Sequence, residues 1–96
     1  YGYHNIFSRM VEAAGRDGDL LIGISTSGNS LNIINAIHKA NEIGMTTIGF
    51  TGDNGGEMND ICDFIIKIPS SDTPRIQESH ILIGHIICQL IEEELF

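Results

Sequence analysis

Ser25-Thr26-Ser27-Gly28-Asn29-Ser30 lies between an apolar run, Leu20-Leu21-Ile22-Gly23-Ile24, and a patterned run from Leu31 to Ile43. The apolar run reads as a buried strand and the patterned run as a helix. The residues between them are therefore predicted to form a loop leading from a strand end into a helix N-terminus. The first amides of a helix have no partner within it, and the dipole there is positive, so such a loop is a ready anion site. The hydroxyls of Ser25, Ser27 and Ser30 add donors, and Gly28 lets the backbone approach a ligand closely. The plainer reading is a polar turn with an N-capping serine.

Working outward, the pattern repeats. Ile6, Phe7, Met10, Val11 and Ala14 share one face at helical spacing, which predicts a helix over Asn5–Ala14 stopped by Gly15. Arg16-Asp17-Gly18-Asp19 is a turn, and Leu20–Ile24 is a strand apolar on both faces, as in a parallel sheet covered by helices. The next helix runs from Ser30 to Ile43. Ile33, Ile34, Ile37 and Ala40 form its apolar face, and Gly44 forms its C-cap. A second strand covers Met45–Phe50, a glycine-rich loop Thr51–Gly56, a helical turn Glu57–Ile61, and a third strand Asp63–Ile68. Ser70–Thr73 is a polar loop, and Pro74 opens a final helix reaching Glu94. From Ile81 to Ile91 that helix is apolar nearly all the way round, so it needs cover on more than one side; a subunit interface is the expected cover, with Gly84 allowing a close helix approach.

Alternating strands and helices predict an α/β fold, three layers α/β/α around a parallel sheet of about three strands. Right-handed crossovers bring every strand's C-terminal end to one edge. The loops Ser25–Ser30, Thr51–Gly56 and Ser70–Thr73 should therefore meet there, at the edge where open α/β sheets bind ligands. Thr51 is the residue of the second loop expected to touch ligand. So thin a sheet looks like half of a larger domain, and a chain that starts at Tyr1 without Met reads as a fragment or processed product.

Composition narrows the function. Of 96 residues, 42% are hydrophobic, enough for one small core. The net charge is −8 with five Lys plus Arg, which argues against nucleic acid as the main partner, since phosphate backbones need clustered cations. A small anionic ligand remains open, because backbone amides bind it locally. No run reaches the roughly 18 apolar residues of a membrane span, and no basic-then-apolar leader is present. Cys62 and Cys88, in apolar surroundings and without metal-like spacing, read as buried free thiols in a reducing cytoplasm.

The final helix begins Arg75-Ile76-Gln77-Glu78-Ser79-His80-Ile81-Leu82-Ile83-Gly84-His85, leaving the ligand edge. His4 and His38 read as structural or surface residues. His85, inside an apolar run, needs a hydrogen-bond partner or a metal and can titrate near neutral pH. Gln77 and His85 are about 80° apart around the helix and about 12 Å apart along it. Convergence on one metal is just feasible; otherwise they serve different sites or meet ligands across a subunit boundary. His80, one turn from Gln77, fits a structural or a functional role equally.

The loop Leu20 to Ser30, Thr51-Gly52 with Gly55-Gly56, and Arg75-Ile76-Gln77-Glu78 with His80 and His85 together resemble the sugar isomerase (SIS) domain, within it the bacterial phosphoheptose isomerases. The likeness spans essentially all 96 residues, matches the C-terminal half of those enzymes, and makes residues 1–96 a partial SIS domain. It implies a five-stranded parallel sheet of flavodoxin-like type in a cytoplasmic homotetramer with active sites between subunits. It implies isomerisation of sedoheptulose 7-phosphate to D-glycero-D-manno-heptose 7-phosphate, on the route to the heptose of lipopolysaccharide or other surface glycans. Carried over by position, Ser25, Thr26, Ser27 and Ser30 match the phosphate-binding loop. Gln77 and His85 match residues that bind substrate and zinc, and His85 is also implied in proton transfer. The family's catalytic glutamate, a further histidine ligand and an Asn-Asp pair belong to the N-terminal half, so this stretch holds no candidate base and is expected to be inactive alone. A non-catalytic SIS protein, such as the replication-initiator-associating paralogue, is the main alternative; it generally lacks a histidine at the position of His85 and alters the phosphate loop. A sugar-phosphate-sensing regulator domain would need a DNA-binding segment, and arabinose 5-phosphate isomerases usually differ after the loop glycine.

Overall fold

The computed structural model describes residues 3–96. A short 3-10 turn, Tyr3–Asn5, precedes α1 (Ile6–Ala14). Then follow β1 (Leu20–Ile24), α2 (Leu31–Ile43), β2 (Thr46–Thr51), the short α3 (Met58–Ile61), β3 (Phe64–Lys67) and α4 (Thr73–Leu95). The predicted order is borne out, with boundaries shifted by a residue or two. Met45 stays outside β2 as a buried residue linking the α2 cap to the strand. Its amide and that of Gly44 both return to the Ala40 carbonyl, at 3.0 and 3.2 Å, with Gly44 left-handed at φ 95°. That is the glycine C-cap read from the sequence.

The three strands are parallel in the order β1-β2-β3. Leu20 pairs with Thr46 and Ile24 with Phe50; Ile48 pairs with Phe64 and Thr51 with Lys67. The ladders continue one residue past the strands through Ser25 N–H to the Phe50 carbonyl and Ile68 N–H to the Thr51 carbonyl, both 3.0 Å. β2 is thus central, and Thr47, Phe50 and Thr51 are fully or almost fully buried. Thr47 is tolerated there because its hydroxyl donates to Asn41 Oδ1 (3.1 Å) and accepts from the Asp63 amide (3.0 Å).

The main core lies on one sheet face. Ile34, Ile37 and Met58 pack with Leu21, Ile33, Ile61, Cys62 and Ile65. Gly23 and Gly49 face α2 and α3 on this side. A Cβ on Gly23 would approach Ile33 Cγ2 at 3.0 Å, and one on Gly49 would meet Met58 Cε at 2.9 Å. The helices sit close because these strand positions carry no side chain.

The opposite face differs from the buried strand expected of Leu20–Ile24. α4 covers Phe50, but Leu20 is 48%, Ile22 37%, Ile24 51% and Phe64 63% exposed. The covering layer extends over only part of the sheet. Along α4, Ile81, Leu82, Ile86, Leu90 and Ile91 are exposed as well. Cys88, expected to be buried, is exposed for the same reason, and Cys62 is half-buried beside the core.

Candidate functional site

The three loops meet at the C-terminal edge of the sheet. They line a cavity of about 350 Å³ with Thr26, Ser27 and Asn29 from the first loop, Asp53 and Asn54 from the second, and Ser70, Ser71 and Thr73 from the third; Ile76 closes it from α4. Among the described residues, no Lys or Arg lines it, while the Asp53 carboxylate does. An anion held here would be bound by the hydroxyls and amides of the loop that leads into α2.

Backbone bonds tie the loops to one another. Gly52 N–H donates to the Thr26 carbonyl (2.9 Å) and Asp53 N–H to the Ser70 carbonyl (3.3 Å). Met58 N–H reaches the Gly28 carbonyl (3.1 Å), and Glu57 N–H reaches Asn29 Oδ1 (2.8 Å). Gly28 has φ +72°, and a Cβ there would collide with the carbonyl of Gly55. Glycine is needed at that position both for its conformation and for the contact between loops.

The predicted phosphate-loop residues fall into different places. Thr26 and Ser27 line the cavity. Ser25 is buried beneath the loop, where its Oγ accepts from the Gly28 amide (3.2 Å) and the Ser30 amide (3.4 Å). Ser27 Oγ accepts from the Asn29 amide (3.1 Å). Ser30 is the N-cap of α2 and makes no side-chain cap bond. Hydroxyls expected to face a ligand therefore also shape the loop. Thr51, expected to touch ligand, does not: it is fully buried on the central strand, and its hydroxyl donates to the Gly52 carbonyl (3.0 Å).

A larger apolar groove of about 690 Å³ runs along α4 on the open sheet face. Its lining includes Ile22, Ile24, Phe50, Gln77, His80 and His85. The Arg75–Glu78 segment spreads its residues around the helix. Arg75 pairs with Glu78 at 2.9 Å on the surface, Ile76 turns to the cavity, and Gln77 turns to the groove. Gln77 and His85 thus share one groove, and both are exposed within it. The His85 imidazole nitrogen is a usual zinc ligand, whereas the neutral amide oxygen of Gln77 lies outside the usual set of thiolate, imidazole and carboxylate. Among the described residues, no group of three or more His, Cys, Asp or Glu gathers to hold a metal.

His80, which sequence left open between two roles, has a definite structural bond. It is 2% exposed, and its Nε2 lies 2.9 Å from the Thr51 carbonyl. A carbonyl only accepts, so Nε2 carries the hydrogen. Its ring also packs against Phe50, with centroids 5.6 Å apart. The sequence placed the second and third loops at the ligand edge and singled out only Thr51 within them. The lining positions Asp53, Asn54, Ser70 and Ser71 carried no signal beyond small polar composition.

A parallel α/β sheet with a hydroxyl- and glycine-rich loop entering a helix at its ligand edge defines an anion-binding class of α/β domain. The SIS domain family model matches residues 1–52, and the chain belongs to that family. Phosphoheptose isomerase from Clostridium acetobutylicum is 64% identical over 96 residues, all of this chain and 49% of that protein. The Aneurinibacillus thermoaerophilus phosphoheptose isomerase is 58% identical over the whole chain and 48% of its own length. In solved structures, the phosphoheptose isomerase of Neisseria gonorrhoeae superposes with a TM-score of 0.93 at 45% identity, over 97% of this chain and 52% of that one. The Francisella tularensis phosphoheptose isomerase gives 0.93 at 38% identity, over 97% and 50%. The chain therefore spans about half the length of the curated relatives it matches.

Proposed function

We propose that these residues form the phosphate-anchoring and part of the reaction-centre half of a phosphoheptose isomerase, which converts sedoheptulose 7-phosphate to D-glycero-D-manno-heptose 7-phosphate. One observation carries this reading. A polar cavity lined by the loop that leads into α2 sits at the N-terminal end of α4, and a groove holding Gln77 and His85 runs along that helix. The phosphate would rest on Thr26, Ser27 and the first amides of α2, with Ser25 and Ser30 shaping that loop. A sugar anchored there is fixed before its carbons react. Aldose–ketose isomerisation moves a proton between C1 and C2 through an enediol, and needs a base, an acid for the oxygens and something that polarises the carbonyl.

His85 would move a proton at a substrate oxygen, and Gln77 would orient the hydroxyls beside it. Both would contribute ligands to a zinc ion, which when bound would supply carbonyl polarisation. The remaining ligands and the carbon base would come from sequence outside these residues. The 96-residue chain alone is accordingly inactive in this reading. The working protein is a cytoplasmic homotetramer, whose subunit contacts cover the apolar side of α4.

Purified protein of the relatives' full length, carrying these residues, should convert sedoheptulose 7-phosphate. His85→Ala should lower kcat by about a hundredfold or more, the scale of a lost acid–base group. Full turnover in His85→Ala would remove His85 from the chemistry, and turnover by the 96-residue chain would remove the need for an outside base.

A further inference from the structure

The anion cavity lies at the N-terminal end of α4 and the Gln77–His85 groove runs along the same helix, so their spacing depends on how α4 is held to the loops. The third loop runs directly into α4 at Thr73, and two contacts hold the helix to the second loop. Ile76 packs on Gly52 so closely that a Cβ there would meet Ile76 Cδ1 at 2.9 Å. The second contact is the His80 bond to the Thr51 carbonyl. That carbonyl also accepts the Ile68 amide at 3.0 Å, so β2, the β3 exit and α4 meet on one oxygen. The residue after it, Gly52, is bonded to the first loop and followed by Asp53, which is bonded to the third. Loop to loop, the cavity is fastened by its own backbone; loop to α4, the polar tie is His80.

We infer that His80 is a positioning residue, which fixes the distance between the anion cavity and the Gln77–His85 groove by fastening α4 to the Thr51 carbonyl; this rests on the isomerase reading above. His80 itself need not touch substrate. Its Nε2–H is committed to Thr51, and its Nδ1 is buried without a partner among the described residues. A leucine would fill the same space without a donor, and the Thr51 carbonyl would lose its bond to α4.

The test uses protein of the relatives' full length with His80→Gln and His80→Leu, both checked for folding by circular dichroism. Glutamine carries an N–H donor to about the reach of Nε2, while leucine fills space and donates nothing. In His80→Leu, kcat should fall about tenfold to a hundredfold, the usual consequence of ångström-scale misplacement, while KM and inhibition by inorganic phosphate stay within about twofold. Glutamine should recover most of kcat. Hydrogen exchange of the Gly52 and Asp53 amides should quicken in the leucine variant and not in the glutamine one. In wild type, the ring nitrogen spectrum should show a slowly exchanging proton on His80 Nε2. Wild-type kcat in a folded leucine variant, equal damage from glutamine and leucine, or a His80 ring lacking that protected proton would each overturn the inference. If wild-type protein shows no isomerisation, the isomerase reading fails by itself. The exchange and ring measurements then still decide the tie: unchanged amide exchange in His80→Leu rejects it, and selective loosening upholds it.

Discussion

The hydroxyl of Ser25 illustrates how a residue can be found for one reason and serve another. Its type and place marked it as a ligand group, yet its buried oxygen accepts the Gly28 and Ser30 amides and holds the loop in shape. Ser25→Ala removes that acceptor, and should destabilise the protein by about 1–3 kcal/mol in denaturant titration, the cost of an unmade buried bond. Gly28→Ala should be worse for binding than for folding. It forces an L-residue into the left-handed region, at about 1–2 kcal/mol, and drives a methyl into the Gly55 carbonyl, parting the two loops. Calorimetry with inorganic phosphate should show binding lost; affinity equal to wild type would show that the loops do not cooperate in holding the anion. Thr51 and His80 were the residues sequence handled least well. Nothing local says that Thr51 lies on a central strand, and no spacing rule links it to a histidine 29 positions away.

At the scale of elements, periodicity was a good guide and burial was not. The helix faces of α1 and α2, the glycine cap of α2 and the three apolar strands were all legible, because each is a short-range pattern. Strand order is a long-range fact. β2 is central and sealed; β1, just as apolar, is an edge with one face open. Core packing on the closed face predicts that Ile37→Ala, at a fully buried position, costs about 2–5 kcal/mol. Cys62, at the end of α3, supplies a pH test. Burial pushes its thiol up, and the neighbouring Asp63 carboxylate pushes it further in the same direction. With the folded pKa above the unfolded one, this group's contribution is fully present below the unfolded value. It is lost as pH rises: above roughly pH 8.5 the unfolded thiol ionises while the folded one stays protonated. Replacing Cys62 by Ala should flatten the fall of stability above about pH 8.5. An unchanged slope would show that the thiol is not held protonated.

For the molecule as a whole, the uncovered surface is the informative feature. Leu20, Ile22 and Ile24 line one apolar groove with Ile81, Ile87 and Ile91 of α4, and Leu82, Ile86 and Leu90 are exposed along the same helix, in a chain spanning about half the length of its relatives. A surface position tolerates a charge within about 0.5 kcal/mol, whereas a covered one does not. In protein of full relative length, Leu90→Asp should therefore lower the melting temperature or split the assembly in sedimentation velocity. An unchanged melt and mass would mean that this face stays wet. Sequence made the need for cover legible, since α4 is apolar around its circumference, but what supplies the cover is not written in these residues. The reaction itself is tested most directly by running it in deuterated water with sedoheptulose 7-phosphate and following the product by NMR. A proton taken from C1 by a base that exchanges with solvent before C2 of the enediol is reprotonated predicts deuterium at C2 of the aldose product, made by wild type and slowed about a hundredfold or more by His85→Ala. Binding of the sugar phosphate with no aldose formed and no label incorporated would contradict the account, and leave a domain that holds sugar phosphates without transforming them.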